Sequence, residues 1–325
     1  MPTLVCNCRG QFISCINRFD FVSCKNNFAD VDKIVVTPET RSYAEQQFAA
    51  ANDAFRNLVE SKCRSVSQDQ IDPEDYSTWS PADRLEAAAW LGILNDDAEE
   101  TIKIAKEYGI YKELMDIVKE YDLENCVNIR NAAARNAARS VTKDKIKNSS
   151  KTGDIFLSHS YDSSQAGSSV ALLNTLTRGY FKHAGIMDKR QEAISDYCIL
   201  SASNDNDHFK KDVSSGLGAV GYESKTKWSD SGIAVGVVRV NNTTPAQCNA
   251  ALDYGAKFLG KPYGLSLDRD SNSSFYCSKV VYRCWLSQGR DLEYNTWYFW
   301  RGAFVTPQDL YDDSDTSFVF GDKPN

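Results

Sequence analysis

An α+β fold in two parts is predicted by a break in pattern near residue 150. Residues 42–140 carry apolar side chains at three- and four-residue spacing, with clear helix start and stop signals. From residue 151 short β-type runs alternate with Gly, Ser, Asn and Asp clusters and a few helical stretches. At 325 residues the chain is long enough for two cores. The expected division is a mainly helical module over 1–140, with 1–40 irregular and cysteine-rich, a linker over 141–152, and a second domain over 153–325.

Each element follows from its local pattern. SYAEQQFAAANDAFRNLVESK, from Ser42, sets Phe48, Ala51, Phe55 and Leu58 on one stripe, as in an amphipathic helix packed against a neighbour. SPADRLEAAAWLGIL opens with Ser80 as N-cap, Pro81 at the first helical position and Asp83 against the positive helix end. Asn95 is expected to cap DDAEETIKIAKEYG, which Gly109 closes. YKELMDIVKEYD and NIRNAAARNAARS complete four or five helices with short connections. TKDKIKNSSKTGD has no apolar face and reads as linker. Beyond it, DIFLS, HAGIMD, DYCILSAS and IAVGVVRV read as strands, with helices at PAQCNAALDYGAKFLG and after Cys277.

Composition narrows the function classes. Hydrophobic residues make up 42% and charged residues 25%, which points away from disorder and from a membrane protein. A net charge of −7 disfavours nucleic acid as a partner, since phosphate binding needs a concentrated basic surface. The basic stretch from Arg130 is read as a solvated helix end running into the linker. No apolar run approaches membrane-spanning length, and MPTLVCNCRGQFISC lacks a secretory layout. Synthesis and residence in the cytoplasm are therefore expected, unless a signal-independent machine exports the protein. Cys6, Cys8, Cys15 and Cys24 match no common zinc spacing and have no nearby His; ordinary thiols, disulfides after export and a metal site all stay open. No cofactor is expected.

Three histidines limit the acid–base candidates: His159, His183 and His208. His183 stands out because it opens the short strand HAGIMD, whose backbone would hold it rigidly. Cys277, in SSFYCSKVVYRCW, falls in the first turn of a helix whose pattern runs through Val280, Val281, Cys284 and Trp285 to Gly289, with Ser273 or Ser274 as caps. Helix-start amides and the positive dipole end stabilise a thiolate there. A disulfide to Cys284 is disfavoured, since two helical turns separate the Cα atoms by about 10 Å. Cys284 is read as core. Core and nucleophilic roles for Cys277 both stay open on spacing alone.

The ordered series TGDIFLSHS, YFKHAGIMD, YCILSASN, GYESKTKW, VGVVRV, FLGKPYG, FYCSKVVYRCW and AFVTPQDLYD resembles the circularly permuted NlpC-like papain fold, in its YiiX-like branch, over about residues 151–320. The resemblance implies an antiparallel sheet with packed helices. It implies a cysteine hydrolase in which Cys277 is the nucleophile and His183 the general base. The Cys277 amide would form part of the oxyanion hole, with Tyr276 and Ser278 lining the hole or cleft. Where YiiX-like chains commonly carry an acidic residue to orient the imidazole, this chain places Ser201, with Glu192, Asp196, Asn204 and His208 as substitutes. Asp154 is read as structural, and Tyr222 and Trp228 as core or cleft aromatics.

The implied reaction is amide hydrolysis through an acyl-enzyme, with peptidoglycan stem peptides as the first substrate class. The chain would then act as an effector delivered by a type VI-like system, with a secretion-apparatus partner and an immunity protein. A lipid or thioester acyl hydrolase or acyltransferase, and a catalytically degenerate binding domain, are the alternatives.

Overall fold

The computed structural model describes residues 34–63, 78–95, 98–138, 141–159, 168–177, 179–203, 218–230, 234–264, 269–293 and 305–323. The four N-terminal cysteines, Asn204 and His208 lie outside the described residues.

Five helices form the N-terminal module: α1 (Pro38–Lys62), α2 (Pro81–Asn95), α3 (Glu99–Glu107), α4 (Tyr111–Glu120) and α5 (Leu123–Ala138). The first starts four residues before Ser42, because Thr37 and Thr40 close a capping box and Pro38 occupies the first turn. Its stripe of Ala44, Phe48, Ala51, Phe55 and Val59 is buried. Helix α3 has Ala98, not Asn95, at its N-cap. Gly109 closes it with a positive φ of 68°.

The stretch expected as linker is instead helix α6 (Lys143–Ser149), capped by Thr142. Its one apolar residue, Ile146, is fully buried with Val141 beneath the sheet. Burying one such side chain is worth about 1.5–3 kcal/mol, enough to seat a short polar helix. The basic stretch also departs from expectation at its start. Arg130 is buried, ion-paired to Glu45 at 3.1 Å, and stacked over Phe48.

The second part is built on β1 (Ile155–His159), β2 (His183–Met187), β3 (Tyr197–Ser203), β4 (Ala219–Ser224), β5 (Ala234–Val240) and β6 (Thr316–Gly321). Among the described residues these form one antiparallel sheet in the order β4-β3-β2-β1-β5-β6. Strands β4 and β6 were not singled out in the sequence. Alternation along each strand separates two buried faces. Ile155, Leu157, Ala184, Ile186, Leu200 and Val238 join one core with α10 (Pro245–Gly255) and α11 (Cys277–Leu286). Phe156, Met187, Ile199, Val235 and Val237 join the other, with Trp228 from α9 (Lys227–Asp230) and Ile146 from α6.

The two parts interlock. Helix α7 (Ser168–Leu176), between β1 and β2 in sequence, contributes Val170, Leu172, Leu173 and Leu176 to the core of the N-terminal helices. Arg41 of α1 pairs with Asp322 just after β6 at 3.1 Å, and the Tyr180 hydroxyl donates to the same carboxylate at 2.5 Å.

Candidate active site

Strand alternation sets the first side of the site. His183 lies on the β2 face of Gly185 and Met187, and on β3 that face carries Ile199 and Ser201. On β4 it carries Gly221 and Glu223, since Ser201 pairs with Gly221 and Ile199 with Glu223. His183 therefore meets Glu223 across the intervening strand. Both Glu223 carboxylate oxygens lie 3.1 Å from Nε2 of His183. The carboxylate is wholly buried and also accepts from Lys227 Nζ at 2.6 Å and Trp228 Nε1 at 2.9 Å. The Trp228 indole stacks on the imidazole at 5.2 Å between centroids, 22° from parallel.

Helix α11 brings the second side. Its N-cap is Tyr276, with no side-chain cap, rather than Ser273 or Ser274. The amides of a first turn have no carbonyl behind them. Cys277 opens the helix with its thiol almost fully buried. It hydrogen-bonds His183, and the Ala184 and Ser278 amides donate to its sulfur. With Nε2 committed to Glu223, Nδ1 of the imidazole is left for Cys277.

The electrostatics follow from these contacts. Burial opposes charge on Glu223, but Lys227 and His183 outweigh it and bring the carboxyl down to about 2. Burial also opposes the imidazolium; Glu223 outweighs that and raises His183 to about 9, while Lys227 works against it. For Cys277 burial favours the neutral thiol, yet the imidazolium and the amide hydrogen bonds bring its pKa below the ordinary value. No imidazolium is among the causes acting on the buried Cys126, Cys198 and Cys284, and burial pushes each up to about 12, in Cys284 even against two backbone hydrogen bonds.

Of the residues singled out in the sequence, Cys277 and His183 are brought together. Ser201 sits beside them, with Oγ 3.4 Å from Nε2, but it donates to the Ala184 carbonyl at 2.6 Å. The orienting carboxylate comes instead from Glu223. Tyr276 and Ser278 do not line a cleft with their side chains. The Tyr276 hydroxyl accepts from the Val305 amide at 3.1 Å and Ser278 Oγ donates to the Val305 carbonyl at 2.7 Å, both in the core. Glu192, at the end of the short helix α8 (Lys189–Glu192), is tied to Lys225 and Lys189, and Asp196 to Lys225. His159 is buried and stacked on Tyr180. Asp154 is structural, bound by Arg239 through two hydrogen bonds. Tyr222 reaches Asp188 at 3.3 Å, away from the site.

Glu223 and Lys227 were missed as site residues because GYESKTKW was read only for its aromatics; of these, Trp228 is buried and stacked on His183. The available signal was the placement of Glu223 two residues after Gly221, on one face of a strand. Burial, then the nearby charges of Cys277 and Glu223, push the Tyr263 hydroxyl pKa up. Gly185 gains a physical reason: a Cβ there would lie 2.6 Å from Ile199 Cγ2 and 3.2 Å from Trp228 Cζ2, so the glycine makes room for the indole that stacks on His183.

Such an arrangement can form a thiolate–imidazolium pair at a helix N-terminus, with a buried carboxylate behind the imidazole. Among the described residues no group of three or more His, Cys, Asp or Glu side chains is placed to hold a metal ion, and no helix is long and apolar enough to cross a membrane.

The family described as “Permuted papain-like amidase enzyme, YaeF/YiiX, C92 family” matches residues 149–320, more than half of the chain. A crystal structure of a metalloprotein, YiiX from Escherichia coli O157:H7, aligns at 19% identity over 54% of this chain and 98% of that one, with a TM-score of 0.35. No curated protein matches the chain.

Proposed function

The chain belongs to the permuted papain-like amidases of the YaeF/YiiX, C92 family, and we propose that it cleaves amide bonds in peptidoglycan stem peptides through an acyl-enzyme on Cys277. The observation that carries the assignment of roles is the imidazole of His183, hydrogen-bonded to Cys277 on one side and to Glu223 on the other. The Cys277 thiolate attacks the amide carbon, forming the C–S bond and pushing an electron pair onto the carbonyl oxygen. The oxyanion forms at the first turn of α11, where amides point outward from the helix. His183 then gives its proton to the leaving nitrogen as the C–N bond breaks. Water, deprotonated by the now neutral imidazole, attacks the thioester and releases the carboxylate.

The substrate class rests on the resemblance of the motif series to the NlpC-like papain fold, a group that includes cell-wall peptidases. Its test is product analysis by mass spectrometry after incubation with purified peptidoglycan, and separately with phospholipid vesicles. Cleaved stem peptides that vanish with Cys277→Ala support the reading. Intact muropeptides alongside released fatty acid would replace it with lipid deacylation. Action in a target cell's periplasm is tested by expressing the chain with and without an export signal. Lysis only with the signal, dependent on Cys277, is expected; harmless export of folded, active protein contradicts it.

A further inference from the structure

Papain-like chemistry needs an imidazolium that forms readily beside the thiolate and yet gives up its proton to a leaving amine. A buried carboxylate behind the ring favours the first and works against the second, because it holds the proton on the imidazole. In this site the carboxylate is not left alone with His183. Lys227 Nζ lies 2.6 Å from Glu223 Oε1, four residues along the chain and only 14% exposed. Thiolate, imidazolium, carboxylate and ammonium sum to zero charge, whereas the first three alone would leave a net negative charge in a buried pocket.

We propose that Lys227 is a positioning residue that sets the acidity of His183 by sharing the Glu223 carboxylate, and so keeps the imidazolium able to protonate the leaving group. Lys227 acts through Glu223, not on substrate. The groups facing the carboxylate are His183 from β2, Lys227 and Trp228 from α9, with the Tyr263 hydroxyl and Cys277 close enough to feel charge in the site. The proposal rests on the assignment of Cys277 and His183 made above.

The test is the pH profile of iodoacetamide alkylation at Cys277, followed by peptide mass spectrometry on the full chain. A thiolate paired with an imidazolium gives two inflections, the upper one reporting loss of the His183 proton. In Lys227→Met the upper inflection is expected to move up by about one pH unit, while the lower one stays in place. Lys227→Arg should keep the upper inflection where it is. In the Glu223→Gln background, which removes the charge Lys227 answers, Lys227→Met should move the upper inflection clearly less, because only the direct repulsion between ammonium and imidazolium is left there. An upper inflection unmoved in folded Lys227→Met, or moved equally in the Glu223→Gln background, overturns the proposal. A wild-type Cys277 that alkylates no faster than the other cysteines would instead overturn the underlying site assignment.

Discussion

Glu223 presents both carboxylate oxygens to Nε2 of His183, each at 3.1 Å, from a strand separated from that of His183 by β3. The pairing turns a histidine at the start of a strand into one with a fixed ring and a fixed tautomer. It is also the contact on which the following expectations turn.

Glu223→Gln is expected to reduce amide turnover by about 10- to 100-fold, since a neutral amide still accepts a hydrogen bond but stabilises imidazolium less. Glu223→Ala removes the acceptor for Trp228 Nε1 as well, and a buried donor left unpaired costs about 1–3 kcal/mol. Kinetics on a stem-peptide substrate and urea denaturation of the two variants separate these effects.

Ser201→Ala is expected to lower stability by about 1 kcal/mol, through loss of the hydrogen bond to the Ala184 carbonyl, with a far smaller effect on turnover than Glu223→Gln. A loss of activity equal to that of Glu223→Gln would place Ser201 behind the imidazole after all.

The pH dependence of stability follows from the same contact. The Glu223 carboxyl falls from 4.5 to about 2, so its contribution is full above pH 4.5 and is lost as pH drops towards 2. His183 rises from 6.5 to about 9, so its contribution is full below pH 6.5 and is lost as pH climbs through 9. Both arms express one ion pair, counted once. Denaturation midpoints should peak between the arms, and Glu223→Gln should flatten both. The alkaline fall in activity, expected near pH 9, should move to lower pH in Glu223→Gln.

Gly185→Ala is expected to cost about 1–3 kcal/mol by overpacking, because the added methyl meets a branched carbon of Ile199 and the Trp228 ring. Activity should fall along with stability, as the indole shifts off His183. Thermal melting together with turnover checks the coupling.

What was legible in the sequence depended on whether one short segment carried its own signal. The stripe of Phe48, Ala51 and Phe55 announced α1, and the turn into Cys277 announced α11. Helix α6 was missed because Ile146 is its only buried residue, and one apolar side chain makes no period. Ser201 is favoured for the orienting role by the resemblance alone, because it stands where YiiX-like chains commonly carry an acidic residue. Glu223 lies on β4, and its meeting with His183 depends on sheet register, a long-range property that local spacing does not encode. Cys277 and His183 were found through the order of motifs, while the Lys227–Glu223–Trp228 cradle needed the fold.

Competitive alkylation of the full chain with limiting iodoacetamide at neutral pH, quantified cysteine by cysteine, tests the pairing of Cys277 with His183. Cys277 is expected to react well ahead of Cys126, Cys198 and Cys284, which burial pushes up to about 12, and His183→Ala to abolish this lead. Equal labelling across these cysteines, or a lead that survives His183→Ala, would contradict it.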